Sequence, residues 1–322
     1  MSDSYYAGFD LGGTQLKYGV IAASGQLVFK DKAPSPPDIT RLMTLIGSIW
    51  EELEQRFGQK IKAAGFGFAG FYSLTKKRIL YSPNYQTLNN FPLVPQLKRV
   101  IPVPFFIHND ANLAAFGEYM FGRGQRVQSL VFLTVGTGVG SGLILEGQLW
   151  QGQGGFAGEL GHITVNPEGL PCNCGNTGCL ETEVSAPALI RNYLNFSGKR
   201  EKQLTAKDVY LRAKSGDEAA RKSFERCGYF LGIGLSIVIN LLNPEKIIIG
   251  GGVMDSGRWL LSPAIAEAKK RSIEVSFALC RIEKASLGND AGLMGAAAWA
   301  RHQLDQGKAL TSSRSKKYES CR

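Results

Sequence analysis

A glycine-rich turn set between two apolar strands occurs twice in this chain, and this repetition constrains the fold more than any other feature. Asp10-Leu11-Gly12-Gly13-Thr14 ends one strand, Tyr5 to Leu11, and opens the next, Leu16 to Ala22. Thr134-Val135-Gly136-Thr137-Gly138 does the same between Ser129–Val135 and Ser141–Leu145. In each half an apolar residue ten positions on, Val20 or Ile144, falls in the return strand. Self-similarity of this kind marks one half as a diverged copy of the other. Two related α/β halves predict a cleft between them, where small ligands commonly bind.

The rest of the chain fits that frame. Ile39, Leu42, Met43, Ile46, Ile49, Trp50, Leu53 and Phe57 share a face at helical spacing, with Asp38 as the N-cap and Gly58 as the stop. Buried strands are predicted at Ala63–Ala69, Phe105–Ile107 and Lys246–Ile249. Helices are predicted at 111–121, 185–196, 206–214, 217–242, 258–271 and 291–304. The polar residues after 308 read as a disordered tail.

Charge and composition exclude several classes. The formal net charge is +10, but five basic residues and one acid between Lys308 and Arg322 carry four of those charges. No RNA-type or zinc-finger motif accompanies them, so a nucleic-acid partner is not expected. A mildly basic surface suits an anionic substrate such as ATP. No apolar run reaches the roughly 18 residues of a membrane span, and Met1 to Tyr6 lacks the regions of a signal peptide. The reading is a cytoplasmic enzyme with no membrane partner.

Glycine turns let backbone N–H groups approach phosphate oxygens. Gly12, Gly13 and Thr14 form one candidate, and Gly136, Thr137 and Gly138 another. Each taken singly reads as an ordinary hairpin; a related pair points to a nucleotide. Lys17 places a cation beside the first turn, and Asp10 at the strand end suits Mg²⁺ held through water. No Walker A loop is present. Gly250, Gly251 and Gly252 follow a buried strand and are either a third nucleotide contact or a plain strand-to-helix turn.

His108-Asn109-Asp110-Ala111-Asn112 ends a strand and begins a helix. Asp110 is either the helix cap or a general base that accepts a hydroxyl proton during phosphoryl transfer. Asn109 would bind neighbouring hydroxyls. His108 should point to the opposite side and be structural.

Cys172, Cys174 and Cys179 lie within eight residues, and His162 stands ten residues before the first. Three thiolates and an imidazole make a closed tetrahedral zinc site with no open position, hence a structural one. Glu159 and Glu181 flank these ligands. Two carboxylates fixed by a metal loop could accept hydrogen bonds from the hydroxyls of one polyol.

Taken in order, Asp10-Leu11-Gly12-Gly13-Thr14, Asn109-Asp110-Ala111-Asn112, Gly136-Thr137-Gly138-Val139-Gly140, Glu159-Leu160-Gly161-His162 and the Cys-x-Cys-Gly-x-x-Gly-Cys run resemble the ROK family of bacterial sugar kinases and repressors, and within it the glucokinase group. The resemblance covers about residues 5 to 305. It implies an actin-like, ribonuclease-H-like fold of two α/β lobes with an interlobe active-site cleft. Residues 1–112 with 290–308 would form the smaller lobe and 113–289 the larger, leaving 309–322 as the basic tail. It implies Asp110 as catalytic base, with Asn109, Glu159, His162 and Glu181 on the sugar. His162 would serve zinc through one ring nitrogen and sugar through the other. Gly70 and Asn84 would also border the sugar. The implied cofactors are ATP, Mg²⁺ and structural Zn²⁺, and the implied assembly is a homodimer or homotetramer.

Two departures stand out: Ser141 replaces a further glycine, and Phe68-Ala69-Gly70 replaces Val/Ile-Pro-Gly. The expected reaction is phosphorylation of a hexose, glucose first, with N-acetylglucosamine, N-acetylmannosamine, fructose and allose as alternatives. A sugar-sensing repressor of the same family would carry a helix-turn-helix domain before the first strand, where only four residues precede Tyr5. A non-catalytic sugar binder should have lost the base or a phosphate turn, and both are present.

Overall fold

The structure is a computed structural model and describes residues 4–73, 75–82 and 85–307. Asn84, Cys321 and the 309–322 tail lie outside the described residues. In chain order the elements are β1 Tyr5–Leu11, β2 Gln15–Ala22, β3 Leu27–Pro34, α1 Ile39–Phe57, β4 Ile61–Phe68, β5 Phe71–Ser73, β6 Arg78–Tyr81, α2 Leu93–Val100, β7 Phe105–Asn109 and α3 Asp110–Phe121. There follow β8 Leu130–Val135, β9 Val139–Leu145, β10 Gln148–Trp150, α4 Leu180–Val184, α5 Ala186–Ser197, α6 Ala206–Lys214, α7 Glu218–Leu242, β11 Lys246–Gly250, α8 Arg258–Arg271, α9 Glu274–Leu279, β12 Arg281–Lys284 and α10 Ala291–Asp305.

These elements form two compact units. The first runs to Gly117 and takes in Gly154–Phe156 and the chain from Asp290; the second is Glu118–Gln153 with Ala157–Asn289. Each is built on a five-stranded sheet, in the order β3-β2-β1-β4-β7 and β10-β9-β8-β11-β12. The two orders are the same path: an antiparallel three-strand meander followed by two parallel additions. The internal echo at the glycine turns is therefore a repeat of the whole sheet.

In the first unit α1 forms as its sequence dictates. The Asp38 carboxylate accepts from the Arg41 N–H at 2.9 Å, and Gly58 ends the helix at φ 58°. Leu42, Met43, Ile46, Ile49, Trp50 and Leu53 bury one face against the sheet core that includes Phe9, Phe66 and Phe105. Each such side chain contributes about 1.5–3 kcal/mol on burial. The opposite face of the sheet is covered by α10, whose backbone comes so close that a Cβ at Gly8 would lie 2.0 Å from the Leu293 carbonyl oxygen. One at Gly65 would lie 1.9 Å from that of Ala296.

The core of the second unit gathers around α7. Among the described residues this 25-residue helix is the one long and apolar enough to cross a membrane, which corrects the expectation that no such run exists. Here Phe224, Leu231, Leu235 and Ile239 are buried in a protein core with Val131, Leu133, Ile247 and Leu260.

Candidate functional site

The first unit brings Asp10, Gly12, Gly13, Thr14, Lys17, Gly70, Asn109 and Asp110 to one sheet edge. β1, β4 and β7 are parallel and end in step, with Leu11 paired to Phe68 and Phe68 to Asn109. The Gly12–Thr14 turn and Asp110 follow directly on the ends of β1 and β7, and Gly70 lies two residues past the end of β4, at the carboxyl edge where α/β sheets place ligands. Gly12 closes the turn by donating to the Gln15 carbonyl at 2.9 Å, and Gly13 and Thr14 are exposed. Ser35 braces this turn: its hydroxyl donates to the Gly12 carbonyl at 3.0 Å and its N–H to the Thr14 carbonyl at 3.0 Å.

Asp10 and Lys17 are cross-strand partners, with Nζ 3.7 Å from Oδ2. Burial still pushes the Asp10 carboxyl above the usual range, against the pull of the Lys17 ammonium. The start of α10 meets this carboxylate at Gly292, where a Cβ would stand 2.6 Å from Oδ2. Neither Ser35 nor Gly292 was expected from the sequence. Ser35 sits in a proline-rich stretch without periodicity, and Gly292 reads as one small residue in an alanine-rich helix.

Asp110 begins α3, yet the capping bond belongs to its neighbour. The Asn109 side-chain oxygen Oδ1 accepts from the Asn112 N–H at 3.0 Å, and its Nδ2 donates to the Gly70 carbonyl at 3.2 Å. Asp110 accepts through Oδ1 from the Ala111 N–H at 2.9 Å. Burial, then the Asp10 carboxylate, push its carboxyl up from 3.8 to about 6. A carboxylate poised there suits proton abstraction near neutral pH. Gly70 adopts φ 124°, and a Cβ would meet the Tyr81 carbonyl at 2.2 Å, so only glycine fits. His108 is 3% exposed, takes the Asn109 N–H on Nδ1 at 2.8 Å and packs edge-on to Trp299, the structural role expected.

The second unit gathers the others. Its Gly136–Gly138 turn joins β8 to β9, and the Gly136 N–H donates to the Gly138 carbonyl at 2.9 Å. Because Gly250 pairs with Thr134 in parallel register, the Gly250–Gly252 turn lies beside it. Gly251, at φ 90°, comes so near Val135 that a Cβ would sit 2.3 Å from its carbonyl, whereas no neighbour stands within 4 Å of a Cβ at Gly252. A recess of about 460 Å³ opens just beyond, between Tyr210 and Lys214 on α6 and Asp255, Arg258 and Trp259.

The cysteine cluster is assembled. His162 Nδ1 lies 3.6 Å from the Cys172 sulfur, the Cys174 and Cys179 sulfurs are 3.6 Å apart, and all four donor atoms lie within 4.8 Å of one another. Four ligands on a tetrahedral zinc at about 2.3 Å stand about 3.7 Å apart, so the donor set fits that ion. Burial and then the adjacent thiols push the Cys179 thiol up to about 12, which leaves a cation to favour the thiolates. A tight turn makes the loop possible: at Gly178, φ 68°, a Cβ would fall 1.5 Å from the Asn166 carbonyl. With Nδ1 turned to the sulfurs, Nε2 of His162 is 4.0 Å from Glu159 Oε2.

Glu181 and Glu159 are each tied to the second glycine turn or its return strand. The Glu181 carboxylate accepts from the Val139 N–H at 2.8 Å, in space that Gly138 leaves open. Ser141, the departure from glycine, brackets Glu159: its hydroxyl donates to the Gly158 carbonyl and accepts from the Leu160 N–H at 3.1 Å.

A repeated five-stranded sheet, a glycine turn after the first strand of each repeat and an acid at a parallel strand end define a protein of the actin-like, ribonuclease-H-like class. The chain belongs to the ROK family, whose model matches residues 6–303. It is similar to a glucokinase of Halalkalibacterium halodurans, 37% identical over 92% of this chain and 94% of that one. It is also similar to a xylose repressor of Caldicellulosiruptor bescii, 30% identical over 89% of this chain and 76% of that one. Among solved structures, a ROK family glucokinase from Streptomyces griseus in complex with glucose and AMPPNP superposes with a TM-score of 0.82. It is 32% identical and covers 93% of this chain and 100% of that one.

Proposed function

We propose that this protein is an ATP-dependent kinase that phosphorylates the 6-hydroxyl of a hexose, with glucose as the preferred sugar. The observation that carries this reading is the state of Asp110. Asn109 does the capping, which leaves the second oxygen of Asp110 for a substrate proton, and its carboxyl titrates at about 6.

In this reading Glu159, Glu181, Asn109 and Nε2 of His162 accept or donate hydrogen bonds to the sugar hydroxyls, near Gly70 and Asn84. The Gly12–Thr14 and Gly136–Gly138 turns offer N–H and hydroxyl donors to the phosphates, with Lys17 as a cation. The nucleoside end of ATP takes the recess lined by Tyr210 and Trp259, past Gly250–Gly252. Asp110 accepts the 6-hydroxyl proton, and the sugar oxygen takes the γ-phosphoryl in line with its bond to the leaving ADP. Mg²⁺ would be held by Asp10 and would supply charge neutralisation on the phosphates. Zn²⁺ would be held by His162, Cys172, Cys174 and Cys179 and would supply rigidity to the loop that leads into α4 and Glu181.

The test is ADP release, coupled to a reporter enzyme, against glucose, N-acetylglucosamine, N-acetylmannosamine, fructose and allose. Glucose should give the highest kcat/KM. No sugar-dependent ADP with any of the five would remove the kinase reading, and a higher kcat/KM for another hexose would replace glucose.

A further inference from the structure

The second unit holds another recess, of about 340 Å³, formed by residues with no role in the kinase reading. Glu183 lines it and is 3% exposed. One hydrogen bond reaches its carboxylate, from the Asn166 amide at 2.7 Å, although an ionised carboxylate accepts about four. Arg191 and Arg226 line the same recess. Arg191 donates to the Thr182 carbonyl at 2.6 Å, and Arg226 lies over the Phe230 ring at 5.1 Å. Among the described residues neither guanidinium forms an ion pair with Glu183 or with the exposed Glu168 at the rim. Asn192, 4% exposed, spends its amide on the Cys227 sulfur at 3.5 Å, which leaves its carbonyl oxygen for another donor.

A buried carboxyl group with a single hydrogen bond and no ion pair is costly unless something completes it. The complement is a small molecule with hydroxyl or amine donors at one end and an anion at the other. The volume lies at the low end of small-molecule sites, about 300–1,000 Å³, which suits one sugar ring and is too small for a nucleotide.

We propose that this recess is a second ligand site and that its ligand is a hexose phosphate. The sugar hydroxyls, or an amine, donate to Glu183 and Asn192, and Arg191 and Arg226 hold the phosphate. The choice of a phosphorylated hexose rests on the kinase reading, since that reaction makes one. Arg191 grips Thr182, which lies between Glu181 and Glu183 on the five-residue α4. The occupant is thereby connected to the carboxylate assigned to the substrate sugar.

Amide hydrogen exchange of the full chain tests the site without requiring turnover. The probes are glucose 6-phosphate, glucosamine 6-phosphate, inorganic phosphate and glucose, at equal concentrations. Hexose phosphates should slow exchange in 166–170 and 191–196, and glucose and phosphate should not. Arg226→Gln, a change at an exposed position, should weaken that protection about tenfold or more, and Glu159→Gln should leave it intact. Stronger protection by glucosamine 6-phosphate would assign the donor facing Glu183 to an amine. Protection that survives Arg226→Gln, equal protection by inorganic phosphate, or none from either hexose phosphate overturns the proposal. Protection in a chain that phosphorylates no hexose would sink the kinase reading and keep the site; turnover without protection would do the reverse.

Discussion

Glu181 accepts a hydrogen bond from the backbone N–H of Val139 at 2.8 Å, so one carboxylate on α4, two residues after Cys179, also holds the end of the second glycine turn. In the proposed reading a single side chain thus joins the element assigned to the sugar with the turn assigned to the phosphates. Glu181→Ala should raise KM for both hexose and ATP by about tenfold each, the loss expected for one hydrogen bond to a charged group. Glu159→Ala, which leaves Val139 untouched, should raise KM for hexose only. Steady-state kinetics with each substrate varied in turn checks the split; an unchanged ATP KM in the Glu181 variant would contradict the link.

The titration of Asp110 predicts how activity and stability move in opposite directions with pH. Its carboxyl rises from 3.8 to about 6, and the base must be ionised. kcat/KM should therefore fall about tenfold per pH unit below 6. The same shift means that the folded chain binds this proton more readily than the unfolded chain does. The ionised group thus costs stability above pH 6, and the cost is relieved as pH falls from 6 towards 3.8. Asp110→Asn should lower turnover by about 10²–10⁴-fold, keep sugar binding, and raise Tm more at pH 8 than at pH 4. Near-normal turnover in this variant would remove Asp110 as the base.

For the cysteine cluster, elemental analysis of the purified chain should find about one zinc per chain. Chelation under denaturant-free conditions should lower Tm and raise KM for hexose, because Glu181 follows Cys179 by two residues. Metal-free protein with full activity and unchanged Tm would rule the ion out as a structural part.

Ser141→Ala removes a hydroxyl that bonds to the backbone on both sides of Glu159. Two neutral hydrogen bonds at about 0.5–1.5 kcal/mol each predict a rise in hexose KM of roughly tenfold, with kcat and ATP KM little changed. If hexose and ATP KM both stay at the wild-type values, the serine does not position Glu159.

Much of this arrangement is legible in the sequence because it depends on residue types with narrow uses. Glycine turns after apolar strands, an Asn-Asp pair at a strand end and three cysteines in eight residues each point to one geometry. The long helices are equally plain, since α1, α6 and α8 follow the expected ranges to within a residue or two. What the sequence conceals are contacts whose partners are backbone atoms far away. Nothing in the string says that Ser35 braces the Gly12 turn, that Ser141 brackets Glu159, or that Asn109 rather than Asp110 caps α3. Short elements were hidden for another reason. β12 is four residues, Arg-Ile-Glu-Lys, three of them charged, and partly exposed, and α2 carries a proline in its first turn; neither has a periodic apolar face long enough to read.

The helix that covers the first sheet is the last element among the described residues. Gly8 and Gly65 lie under the carbonyls of Leu293 and Ala296, so β1 and β4 are shaped to receive a helix whose residues are translated more than two hundred positions after β4. At roughly 5–20 residues per second a ribosome takes ten seconds or more to reach it. Until then one face of the amino-terminal sheet has no lid, and the second unit can finish folding first. Nascent chains stalled before Ala291 should engage holdase chaperones through that bare face, and release of the completed polypeptide should end the engagement.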